Sequence, residues 1–173
     1  QYGDTVNPRG ERSILIASAI GANVGLNYNI NASFVGVFNA PYTLTNTPTR
    51  DSATFNIPAF NPANYINAPA GATHFRLINA INVISNWEYD SSSGKYYATD
   101  PTLSELNDVQ YSAYLDLSTP TPLTTITTTL PGSPTLTPSV AVMNNIGIEF
   151  YQEVSGNYYL FASGNALLGV TLF

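Results

Sequence analysis

The sequence contains no cysteine, so it can supply no disulfide framework, no thiolate nucleophile and no cysteine-ligated metal site. Histidine occurs once, at His74, so a metal site would have to rest on carboxylates. Charge is scarce too: Asp, Glu, Lys and Arg make up 9% of the 173 residues, against about 25% in ordinary globular proteins. The five basic residues are Arg9, Arg12, Arg50, Arg76 and Lys95, and the formal net charge is -6. Nucleic acid is thereby excluded as a partner, because phosphate binding depends on clustered Lys and Arg that release counterions. No basic residue follows Lys95. That asymmetry reads as composition bias, or as head-to-tail attraction between a mildly basic front and an acidic back. No apolar run approaches the ~18–20 residues of a membrane span; the longest, residues 13–20, is far shorter. There is neither a signal peptide nor an initiating methionine before Gln1, so the chain reads as a processed or trimmed product.

What remains is polar without being charged. Hydrophobic residues make up 44%, alongside nineteen Asn, nineteen Thr and twelve Tyr. Thr, Tyr and Val suit pleated surfaces, and a low-charge, tyrosine-rich exterior suits contact with other protein. Disorder goes with the opposite composition, high net charge and few aromatics. The length fits one domain that buries roughly 70% of its extended-chain surface on folding.

Residues 1–12 are polar, with turn residues at Asn7-Pro8 and Gly10, and read as an extended lead-in to a single domain over 13–173. Strand-length apolar stretches follow. Residues 13–20 come first, then 23–31, where Val24, Leu26, Tyr28 and Ile30 alternate with Asn and Gly and predict a strand with one buried face. Phe34 to Phe38 is another apolar stretch, 43–51 a polar connection, and 53–57 a strand. Asn61-Pro62 predicts a helical turn over 63–66, with Asn as N-cap and Pro at the first position. The strongest strand pattern spans 73–85. Trp87-Glu88-Tyr89 and Lys95-Tyr96-Tyr97 flank a Ser/Gly loop and predict a hairpin. Residues 100–106 suggest another short helical turn, residues 109–117 alternate, and 123–130 suits an edge strand inside a Thr/Pro-rich stretch. Ile146, Ile148 and Phe150 form a buried phase. Two further turns, at 155–157 and 163–165, lead into strands over 158–162 and 167–173. About ten short strands with one or two helical turns predict an all-β, antiparallel sandwich of Greek-key or jelly-roll type.

Chemistry is sparse along this pattern. His74 lies in a strand two residues from Arg76, and the sequence pairs it with neither nucleophile nor orienting acid. Glu88 and Asp90 share a strand face at roughly 7 Å, within the spacing of an inverting glycosidase, but a solvated face beside a loop explains them equally. Glu149 and Glu153 lie too far apart to cooperate. Asp90 to Gly94 lacks the recurring acids of a calcium loop. Residues 21–25 lack the Lys and the helix of a phosphate loop, and Asn31-Ala32-Ser33 matches a glycosylation sequon. Trp87, Tyr89, Tyr96 and Tyr97, with Tyr158 and Tyr159, sit at hairpins where exposed rings could stack on sugar; cross-strand packing is the plainer use.

Four strings, Asn7 to Arg12, Ile57 to Asn64, Ala68 to Arg76 and Gly147 to Val154, resemble a family of Bacteroidota proteins of unknown function. The resemblance spans nearly the whole chain and implies that it is the C-terminal β portion of such a protein, its relatives continuing upstream in a basic, partly helical segment. It implies no activity, cofactor or site residue. The residues themselves point to a non-enzymatic structural subunit, of filament, pilus or shell type, that partners copies of itself at a cell surface or outside the cell. The candidate assembly element is the apolar terminal strand with Leu167, Leu168, Val170, Leu172 and Phe173, which strand exchange could lend to a neighbour. The alternative is a glycan- or peptide-binding module that uses Trp87, Tyr89, Tyr96 and Tyr97. Neither reading requires a metal, a cofactor or a catalytic residue.

Overall fold

The computed structural model describes residues 4–16 and 24–173. Its centre is a pair of long strands, β3 (His74–Ser85) and β9 (Val140–Val154), antiparallel from His74↔Tyr151 to Ser85↔Val140. On its free side β3 carries β6 (Asn107–Tyr111) and β7 (Leu115–Asp116); on its own, β9 carries β10 (Asn157–Leu160) and β11 (Ala166–Leu172). A three-stranded sheet, β1 (Thr43–Asn46), β2 (Ser52–Ile57) and β8 (Thr124–Thr129), packs on one face of this six-stranded sheet. β4 (Trp87–Asp90) and β5 (Lys95–Ala98) form a separate hairpin. Every pairing is antiparallel, and the protein is an all-β sandwich.

Alternation explains the inner layer. Phe75, Leu77, Ile81 and Val83 of β3 lie beside Phe150, Ile148, Asn144 and Val142 of β9, and all are buried. Phe55 and Ile57 of β2 and Ile126 of β8 close over them. One polar side chain sits among these apolar ones. Asn79 is fully buried, and its amide nitrogen donates to the Ala53 and Ile126 carbonyls, each at 3.0 Å, and to Thr128 Oγ1 at 3.2 Å. Its Oδ1 accepts from Asn144 Nδ2 at 2.7 Å. Both ends of the amide are thus satisfied, as burial of a polar group requires, and the bonds tie the two sheets together.

Unlike β3, β9 is buried on both faces along Val140 to Ile148. Its outer side is partly covered by Ile16 and by Leu172 of β11, which cluster with Ala141 and Met143. β11 reaches that side through a bulge between Gly169 and Thr171 that reverses its phase.

The structure corrects several expectations. Of residues 13–20, Ile14 makes only a bridge to Trp87, and 17–20 lie outside the described residues. The alternating segment is no buried strand, since Ile30 is 98% exposed and Val24, Leu26 and Tyr28 are about half exposed. It runs along the edge of β11 with one bridge, Asn27↔Leu168, while Asn27 Oδ1 accepts from the Phe34 amide and Asn29 Nδ2 donates to the Asn165 carbonyl. The Phe34 stretch forms a single helical turn, α1 (Phe34–Val37), because Ser33 Oγ caps the Gly36 amide. The start of the polar connection 43–51 is strand β1. The alternating stretch 109–117 is split between β6 and β7, and its Val109 and Tyr111 are exposed.

Other expectations match. Asn61 caps α2 (Pro62–Tyr65), with proline in the first turn, and Leu103–Glu105 is a 3₁₀ turn. The Thr/Pro-rich stretch is held at its end by Arg50, whose guanidinium donates to the carbonyls of Leu136, Thr137 and Val140.

Replacing Asn79 by Leu keeps the branched shape but takes one partner each from Asn144 Nδ2, which keeps the Ala80 carbonyl, from the Ala53 carbonyl, which keeps Thr128 Oγ1, and from the Ile126 carbonyl. We expect a loss of about 1–3 kcal/mol from this weakened buried bond set, read as a lower urea midpoint. Thr128→Val should cost less. An unchanged midpoint for Asn79→Leu would show that the sheets do not depend on this bond set.

Candidate functional site

The hairpin residues do not form one platform. Neighbours on a strand point to opposite faces, so Trp87, Tyr89 and Tyr96 share one face and Tyr97 takes the other. Tyr89 and Tyr96 pack on each other, centroids 5.3 Å apart, and Tyr96 Oη donates to the Gly10 carbonyl at 2.9 Å. Trp87 exchanges backbone bonds with Ile14. The lead-in thus lies against this face. Asp4 organises it, accepting from the amides of Val6, Asn7 and Ser13 and from Asn7 Nδ2, which together hold its carboxyl well below the usual range. Asp90 accepts from the Ser92 amide and from the hydroxyls of Ser92 and Ser93; these bonds lower its pKa and engage its carboxylate within the loop.

The terminal strand is likewise occupied. Leu168 faces the main core, Leu167 pairs with Gly147, and Leu172 packs with Ile16 and Met143. Val170 packs against the main core, and Phe173 against the second core cluster around Val83 and Val142. Phe173 also exchanges backbone bonds with Val142, at 2.7 and 2.9 Å. Within this chain, β11 is a member of its own sheet.

A second group of aromatic side chains comes together on the outer face of the six-stranded sheet, centred on Arg76. Its guanidinium carbon stands 3.9 Å from the Tyr111 ring centroid, 5.1 Å from that of Tyr114 and 5.9 Å from that of Tyr151. Such stacking is favourable because the ring face is electron-rich. Tyr114 in turn stacks on Tyr158 of β10, centroids 3.8 Å apart and planes within 4°, and His74 meets Tyr158 edge-on. Tyr111, Tyr114 and Tyr158 remain exposed.

The polar bonding of this platform is uneven. Glu149 is the cross-strand partner of Arg76, yet it accepts from Tyr151 Oη at 2.6 Å. Arg76 Nη1 donates to Tyr114 Oη at 3.3 Å, and Nε, though buried, has no partner. Burial, and then the Glu149 bond, push the Tyr151 hydroxyl far above the ordinary tyrosine range. The His74 ring shares a 3.0 Å hydrogen bond with Thr73 Oγ1, which also accepts from the Glu153 amide. Asp116, across from His74, is taken up by the amide and hydroxyl of Ser118, which lower its pKa. Among the described residues no three His, Asp or Glu side chains are grouped to hold a metal. No helix of the described residues is long and apolar enough to cross a membrane.

Sequence reasoning passed over Arg76, Tyr111, Tyr114 and Tyr151 as a group, because they come from β3, the β6–β7 region and β9. The one available signal was the shared phase of Arg76 with His74 and of Glu149 with Tyr151.

Folding favours neutral Tyr151, so its stabilising effect is complete below the ordinary pKa of about 10 and is lost as pH rises through the elevated folded value. Tyrosine absorbance should show a late-ionising component that disappears in Tyr151→Phe; its persistence would assign that component to another ring. No protein-family model matches this sequence, and neither a curated protein nor a solved structure is significantly similar to it.

Proposed function

We propose that the protein is a non-enzymatic structural subunit that assembles with copies of itself by adding sheet edge to sheet edge. The observation that carries this reading is β10. It follows β9 through the two-residue turn Ser155-Gly156, both with positive φ, at 54° and 82°. Such a turn makes Val154 and Asn157 a hydrogen-bonded pair, so in β10 the bonds alternate. The N–H and C=O groups of Tyr158 and Leu160 consequently point away from β9.

Soluble monomers protect such an edge with lysine, proline, a bulge or a covering loop. β10 reads Asn-Tyr-Tyr-Leu, carries no charge and is exposed at all four residues. Its side chains extend the same low-charge surface, with Tyr159 58% and Leu160 55% exposed. Tyrosine and arginine beside an unprotected edge are the residue types that dominate protein contacts. On the opposite side of this sheet β6 is different: it carries Asp108, which accepts from the Thr129 amide of β8 and ties that edge to the second sheet.

In this form of the proposal β11 stays in its own sheet and the subunit contact is made by β10. Removing residues 166–173 should therefore unfold the protein, whereas exchange of a donated strand would leave a soluble monomer. Lysine at Tyr159 and Leu160 should abolish assembly, seen by sedimentation and negative-stain electron microscopy, and change stability by no more than about 0.5 kcal/mol, as for other surface sites. A wild-type monomer at every concentration would overturn the proposal, as would double-lysine particles that assemble unchanged.

A further inference from the structure

We infer that the outer face around Arg76 is a binding site for a neutral sugar ring, such as the exposed end of a glycan. This inference does not depend on the assembly reading, although the arginine and tyrosines beside β10 serve in both. Next to the tyrosine platform lies a cleft of about 240 Å³, lined by Tyr28, Ile78, Glu149, Asn165 and Leu167 among others. Glu149 belongs to both, since it lines the cleft and stands across from Arg76. Gly147 lets two of the lining side chains pack close over β9: a Cβ there would come within 2.9 Å of the Ala166 carbonyl and of Leu167 Cδ1, and 3.3 Å from Ile78 Cδ1. The volume lies below the roughly 300–1,000 Å³ of sites for drug-sized ligands, which suits a single ring rather than an extended chain.

The chemistry of the lining selects the class of ligand. Arginine carries five N–H donors in a planar fork, and here the fork lies over the Tyr111 ring with one bond, of 3.3 Å, from Nη1 to Tyr114 Oη; Nε is buried, so the terminal N–H groups are the donors a ligand would meet. Beside it, Glu149 supplies acceptor capacity beyond the oxygen bound to Tyr151. A donor fork and a carboxylate on neighbouring positions match adjacent hydroxyls, each of which both accepts and donates. The exposed rings of Tyr111 and Tyr114 supply apolar surface for the C–H face of the ring. Acidic sugars fit less well. Glu149 stands opposite Arg76, and Asp116 and Glu153 lie farther along the same sheet beside His74 and Thr73, so a ligand carboxylate would meet net negative charge.

The test is saturation-transfer NMR on the dilute protein with glucose, galactose, mannose and N-acetylglucosamine, and with glucuronate as the charged control. At least one neutral sugar should receive saturation. Arg76→Lys, which keeps the charge and loses the fork, and Tyr111→Ala, at an exposed ring, should each weaken its binding about tenfold or more, equivalent to about 1.4 kcal/mol. Trp87→Ala should leave it unchanged. No transfer to any neutral sugar would overturn the inference, and so would a preference for glucuronate. Binding that survives both platform variants would place the site elsewhere. If those variants instead alter sedimentation while no sugar binds, the platform is a subunit contact and the sugar site fails.

Discussion

The pairing of β3 with β9 is the constraint on which the other elements depend. Twelve residues of β3 are matched without a break to β9, and each long strand offers its remaining edge to two short ones. The inner face of the pair carries the phenylalanines, isoleucines and leucines that the three-stranded sheet covers, with Asn79 linking the layers. The outer face carries Ala141, Met143, Asn145 and Gly147, all buried, so it too needs cover. Ile16 and Leu172 supply part of that cover at one end. Toward the other end the cover gives way to Arg76 and its tyrosines, and the molecule's most distinctive surface begins there.

The parts legible in the sequence were those in which side-chain period and burial coincide. Residues 73–85 and Ile146 to Phe150 alternate because one phase meets a covering sheet. The equally regular alternation of Val24, Leu26, Tyr28 and Ile30 misleads, since periodicity records only that a face could be buried. Among the described residues that apolar phase stays about half exposed or more, and the asparagines between are held by the Phe34 amide and the Asn165 carbonyl. At Phe34 to Phe38, the capping hydroxyl of Ser33 directs the chain into a turn despite β-favouring residues. The tyrosine platform was hidden for another reason. Its members lie at 76, 111, 114, 151 and 158, and only the sheet register brings them together.

Charge shows the same limit. The basic front and acidic back of the sequence do not become two poles of the fold. Arg50 bonds the Val140 carbonyl, Lys95 sits in the hairpin, and Arg9 and Arg12 flank Gly10, which accepts from Tyr96; all four lie toward the Ser85 end of the long pair. Asp4, Glu88, Asp90 and Asp100 lie there as well. Arg76 is the exception, placed among tyrosines away from the other cations. Assembly by attraction between opposite ends has little to act through, and an uncharged sheet edge has more.

The central claim is that β10 is the edge that a second copy covers while β11 remains in its own sheet. Amide hydrogen exchange measured at low and at high protein concentration tests it most directly. The account predicts that the Tyr158 and Leu160 amides exchange freely in dilute protein and become protected as concentration rises, with the β11 amides protected throughout. Fast exchange at Tyr158 and Leu160 at every concentration would contradict it. So would protection of β11 that appears only on assembly, the signature of a strand exchanged between subunits.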